Sequence, residues 1–150
     1  MKLEIWKNKM NSLETFNHLV GPVERFDDLI GHCITHIEKR HDELKLYLSD
    51  NVYVHMYHQQ DCCESVYIED ICGDLDDLIG SPLLEAEEIT NRDDGPLDSS
   101  DESYTWTFYK FGTNNGSVTI RWYGCSNGYY SEYVDVKVVD ESKDKFVQYE

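Results

Sequence analysis

The sequence predicts an α+β fold that is mainly antiparallel β, with about eight strands, short helices and a helical N-terminal cap. Three observations predict it. From residue 32 onward apolar residues recur with period two, the spacing of a half-buried strand. Asn114-Asn115-Gly116 and Ser126-Asn127-Gly128 supply hairpin turn signals, since Asn-Gly accepts the positive φ of a type I′ turn. A hexapeptide also repeats: Phe26-Asp27-Asp28-Leu29-Ile30-Gly31 matches Leu75-Asp76-Asp77-Leu78-Ile79-Gly80 at five of six positions.

Taken in order, Ser12 caps a short helix whose Leu13, Phe16, Leu19 and Val20 form one apolar stripe, ended by Gly21-Pro22. Pro22 suits the first turn of a second helix, 22–30, which closes on Gly31. Residues 1–25 thus read as a helical extension on a core spanning 26–139, one domain in all. Within that core 32–38, 44–48 and 52–56 alternate as three strands, joined by polar turns at 39–42 and 49–51. A fourth strand, 65–70, follows a corner at 61–64. The second hexapeptide precedes strands at 83–89, 104–111, 117–123 and 129–139. Each half is therefore a helical turn plus about four strands, an internal pseudo-duplication. Residues 90–102, rich in Asp, Asn, Gly, Pro and Ser, read as a long mobile loop, and 140–150 as a charged, frayed tail.

Charge is concentrated rather than spread. The 150 residues carry thirteen Lys/Arg and thirty Asp/Glu, a formal net charge of −17. Residues 61–105 hold fifteen of those acids and one basic residue, Arg92. One reading is a solvated face that keeps the protein soluble. The other is a field aimed at a basic partner. In that reading Glu64, Glu69, Asp70, Asp74, Asp76, Asp77, Glu85, Glu87, Glu88, Asp93 and Asp94 face the partner. Phosphate would meet the same field, so direct nucleic-acid binding is disfavoured. No run of about 18 apolar residues offers a membrane span, and residues 1–7 lack the apolar stretch of a secretory signal. Five cysteines, an odd count without scaffold spacing, fit reduced thiols and a cytoplasmic setting.

Candidate chemistry is sparse, and no cofactor is expected. His55, His58, Asp61, Cys62 and Cys63, with Cys72 nearby, are the metal-ligand types, but the Cys-x2–4-Cys pairing of zinc sites is missing. Adjacent cysteines on a strand point to opposite faces, so Cys62 and Cys63 are expected not to share a metal, with at least one buried. A vicinal disulfide is the lesser alternative. Asp74, Asp76 and Asp77, or Asp93 and Asp94, lack an EF-hand loop, and Asp74 more simply caps a short helix. Glu64 with Glu69 or Asp70 is the carboxylate pair an acid–base enzyme would need. Tyr104, Trp106 and Phe108 share a strand face with Trp122 on a neighbouring strand, a pattern that core packing explains and that exposure would turn into a binding hot spot.

The run Asp61-Cys62-Cys63-Glu64-Ser65-Val66-Tyr67-Ile68-Glu69-Asp70 resembles a widespread family of small uncharacterised proteins of phages and prophages. The resemblance continues through 73–88, 102–110, 116–124 and 126–132. It implies a phage origin and action in a host cell, and carries no established activity. Joined to the charge map, it yields a non-catalytic acidic protein that engages a basic surface of a host protein and inhibits or redirects it. That host protein would handle nucleic acid or defence, by analogy with acidic DNA mimics and counter-defence factors. The alternative is a metal- or small-ligand-binding protein, or an enzyme, centred on residues 61–70.

Overall fold

A computed structural model describes residues 3–7, 22–91 and 103–142. The strands are β1 (Glu4–Lys7), β2 (His36–Arg40), β3 (Glu43–Tyr47), β4 (Val52–Tyr57), β5 (Ser65–Cys72), β6 (Glu85–Asn91), β7 (Ser103–Thr113), β8 (Gly116–Ser126) and β9 (Asp135–Asp140). They form two antiparallel sheets, one in the order β1-β2-β3-β4-β9 and the other β5-β8-β7-β6. The alternating sequence favours this: most of the strands carry an apolar face that must be covered, whereas β9 has no buried residue.

The α+β expectation gives way to a β fold. Among the described residues the helical segments are two 3-10 turns, Phe26–Leu29 and Leu75–Leu78, and a stub at 141–142. The expected helix 22–30 shrinks to one turn because Arg25 is extended, with φ −126° and ψ 161°. So short a segment lies below the roughly 12 residues that sustain a helix, and the Phe26/Leu29 spacing suits three residues per turn. The cap helix expected from Ser12 lies outside the described residues. So do Asp93, Asp94, most of 90–102 and the tail beyond Ser142. Where a helical extension was expected, residues 4–7 form a strand on the edge of the first sheet, Trp6 opposite Ile37.

The repeated hexapeptides occupy equivalent places. Each 3-10 turn runs into a glycine at positive φ, 93° at Gly31 and 90° at Gly80, a conformation glycine adopts without strain. The Gly31 N–H donates to the Leu83 carbonyl at 2.7 Å, and the Gly80 N–H to the Ile34 carbonyl at 3.1 Å. These are the same bond with the halves exchanged. Three meandering strands follow each turn, β2-β3-β4 and β6-β7-β8. The fourth strand of each half then crosses to the other half's sheet, β5 onto β8 and β9 onto β4. Matching positions fill one shared core: Leu29 and Leu78, Leu44 and Tyr109, Leu46 and Phe111, Val54 and Val118, Met56 and Ile120. Trp122, fully buried, sits among them.

Two turns differ from expectation. At 114–116 the positive φ falls on Gly116 alone, and no described non-glycine residue has one, so the hairpin turn is not type I′. At 126–128 no hairpin forms. The chain leaves β8, buries Glu132, and only at Asp135 becomes a strand, in the other sheet. Strand 129–139 is shortened accordingly. The strand expected at 32–38 begins at His36, because Cys33 and Ile34 instead bridge to Pro82 and Ile79 between the halves.

Candidate functional site

After β4 the chain must reach the far sheet, and residues 58–64 carry it there. Glu64 organises that corner from inside, at 3% exposure. Its carboxylate accepts the Asp61 N–H at 3.0 Å, the Cys62 N–H at 2.8 Å and the Gln60 amide at 3.2 Å. His58 Nε2 lies 2.8 Å away, and His58 Nδ1 lies 2.8 Å from the Tyr133 carbonyl. Both ring nitrogens thus face oxygens, which fixes the ring between the corner and residue 133. The His58 bond, reinforced by the two backbone N–H groups, holds the Glu64 carboxyl down to about 2. Glu64 therefore faces neither a partner nor a substrate, contrary to both sequence expectations.

Glu132 anchors the neighbouring crossing. It is buried and accepts the Thr105 hydroxyl at 2.8 Å and the Ser126 hydroxyl. Its backbone lies so close to Gly124 that a Cβ there would overlap the Glu132 carbonyl. No sequence signal marked this residue except its isolation in a run of Gly, Tyr and Ser.

The metal candidates disperse. His55 lies on β4, its Nε2 3.1 Å from Glu43 and its ring stacked on Tyr57, and burial lowers its pKa. His58 is committed to Glu64. Among the described residues no three His, Cys, Asp or Glu side chains converge as a metal site. Cys62 and Cys63 depart from expectation: both are exposed, with their sulfurs 3.0 Å apart. They lie in a bend before β5, so the alternation of a strand does not separate them, and Glu64 takes the buried place instead.

The remaining acids divide by element. A register shift between Ile68 and Asp70 aims both Glu69 and Asp70 at Arg121, whose Nε is 2.5 Å from Glu69 and whose second guanidinium nitrogen is 3.8 Å from Asp70. Asp74 caps the second 3-10 turn by accepting the Asp76 N–H at 3.0 Å. Asp77 packs against Gly116, and its carbonyl accepts the Thr113 hydroxyl. Glu88 accepts the buried Tyr109 hydroxyl at 2.6 Å. Glu85 and Glu87 stand exposed on β6, an edge strand. Beside them Ile30 and Leu84 are 46% and 60% exposed. Phe26, Asp27, Ile30, Leu84 and Glu85 to Glu88 line a hollow of about 580 Å³, with no basic residue among its described walls. Leu84 was legible: of the adjacent Leu83 and Leu84 entering a strand, only one can face the core, and Leu83 does. The aromatic residues divide as well, Trp122 inward and Trp106 half-exposed on the outer face, 5.2 Å from the Arg121 guanidinium.

A family model described as a domain of unknown function, DUF7448, matches residues 27–136. The chain belongs to the DUF7448 family. No curated protein and no solved structure matches it. The DUF7448 span takes in the second 3-10 turn, the first and the hollow beside β6 except for Phe26, the 58–64 corner and Glu132, and leaves β1 and most of β9 outside.

Proposed function

We propose that this DUF7448 protein is a non-catalytic binding protein of phage origin. Its acidic β6 side engages a basic surface of a host-cell protein, one that handles nucleic acid or defence, and inhibits or redirects it. The observation that carries the reading is the hollow beside β6, where Asp27, Glu85, Glu87 and Glu88 surround exposed Ile30 and Leu84. Carboxylates at the rim steer a cationic partner, and the apolar pair gives it something to bury. Among the described residues no strand pairs the outer edge of β6, whose backbone donors and acceptors an extended segment could pair. Free thiols suit a host cytoplasm. The metal or enzyme reading of residues 61–70 ranks second, because both Glu64 oxygens are already occupied.

The test has two stages. Affinity capture from host lysate, with wild type and a Glu85→Lys/Glu87→Lys variant, identifies a partner, which is then purified. Association kinetics are measured across salt, where the Debye length falls from about 30 Å at 0.01 M to about 8 Å at 0.15 M. The expected outcome is an association rate that drops with salt and with the reversals, and a faster dissociation for Leu84→Asp. A purified partner whose binding ignores salt, the reversals and Leu84 overturns the reading.

A further inference from the structure

The Cys62–Cys63 pair lies apart from the β6 surface and has chemistry of its own. We propose that these two cysteines are a reversible thiol–disulfide exchange site, oxidised to a vicinal disulfide by low-molecular-mass disulfides such as glutathione disulfide and reduced again by thiols. Their sulfurs, 3.0 Å apart, are nearer than the roughly 3.5–4.0 Å of ordinary non-bonded contact. Both are exposed, so a small disulfide can reach them. The other cysteines are less suited: Cys33 is buried, Cys125 half-buried, and the Cys72 thiol is directed at the Asp70 carboxylate, 3.8 Å away, rather than at a second sulfur.

The surroundings assign the two roles. The Tyr130 phenol is a hydrogen-bond partner of Cys62, the main cause that raises the phenol, so a phenolic O–H stands beside the sulfur we assign as the attacking one. The Cys62 thiol donates to the Cys63 sulfur, and that bond is the main cause that raises the Cys63 thiol. Glu64 fixes the frame by binding the N–H groups of Asp61 and Cys62. The Cys62 thiolate attacks one sulfur of the small disulfide, breaking its S–S bond, forming a mixed disulfide and releasing one thiolate, which takes a proton from solvent. Cys63 then yields its proton to solvent and attacks the Cys62 sulfur, closing the vicinal bond and expelling the second thiolate. Two electrons and two protons pass from the pair to the small disulfide, which leaves as two thiols. Adjacent Cα atoms sit about 3.8 Å apart across a trans peptide, below the roughly 4.4–6.8 Å usual for disulfides. The product is therefore strained, and readily reversed rather than structural.

The test equilibrates the full chain with graded ratios of reduced to oxidised glutathione, quenches with acid, alkylates, and maps the cysteines by mass spectrometry. Expected is the joint loss of alkylation at 62 and 63 with a mass lower by two hydrogens, restored by dithiothreitol. Cys63→Ser should instead accumulate a glutathione adduct on Cys62, and Tyr130→Phe in that background should slow its formation several-fold. Wild type in which both cysteines stay alkylatable at every ratio, or which stops at mixed adducts, overturns the proposal. Equal adduct rates with and without the phenol overturn the role of Tyr130. Should circular dichroism show Cys63→Ser to be misfolded, the wild-type map decides the outcome by itself.

Discussion

Glu64 ends the 58–64 corner, and its carboxylate replaces the water that several polar groups lose there on folding. Its pKa near 2 lies below the ordinary 4.5. Such a group stabilises the fold fully above the unfolded value and loses that contribution as pH falls through the folded one. Urea midpoints should therefore decline as pH drops from about 4.5 toward 2, and Glu64→Gln should be less stable at neutral pH with a flatter decline. An unchanged acid profile in the variant would refute the assignment. The two tryptophans offer a second comparison at this scale. Trp122→Ala empties a fully buried site and should cost about 3–5 kcal/mol. Trp106→Ala, on the half-exposed outer face, should cost about 1 kcal/mol. Denaturant titration of both variants distinguishes core from surface.

The elements were legible where one rule governed them. Strands β3, β4 and β8 alternate cleanly, and their inward residues include the ones that period two selects. In β7 the aromatic face of Tyr104, Trp106 and Phe108, expected in the core, turns outward, and Thr105, Thr107, Tyr109 and Phe111 face in. The two 3-10 turns were visible as a repeated hexapeptide, but Phe26/Leu29 and Leu75/Leu78 fit three residues per turn as well as a helix, so their length was not. Edge strand β1 has four residues and too little alternation to register. The corner failed for another reason: Cys62 is the more apolar type, yet Glu64 is buried, because a corner needs an acceptor for its unpaired N–H groups more than it needs another hydrophobe. Two predictions belong to this scale. Gly80→Ala forces a left-handed backbone on a Cβ and should cost about 1–2 kcal/mol in urea unfolding. Glu85→Lys/Glu87→Lys, on an open edge, should leave the midpoint within about 0.5 kcal/mol of wild type, which separates lost binding from lost fold.

At the scale of the whole molecule, each sheet is completed by a strand from the other half, so neither half closes its core alone. Unfolding should be one transition: Trp122 fluorescence, reporting the second sheet, and amide exchange in β3 and β4, reporting the first, should yield the same free energy. Deleting β9 should then destabilise the second sheet too, through the shared core. Two separated transitions would contradict this coupling. The pairing of Ser65 with Cys125 and of Val52 with Asp140 also sets a timetable for synthesis. A ribosome makes β5 long before β8, and β4 long before β9. The apolar faces of Val66, Ile68, Val54 and Met56 must therefore wait in the nascent chain for partners still inside the exit tunnel. Chains stalled before β8 should be degraded readily by protease, and the native fold should arise only once β8 and β9 have left the ribosome.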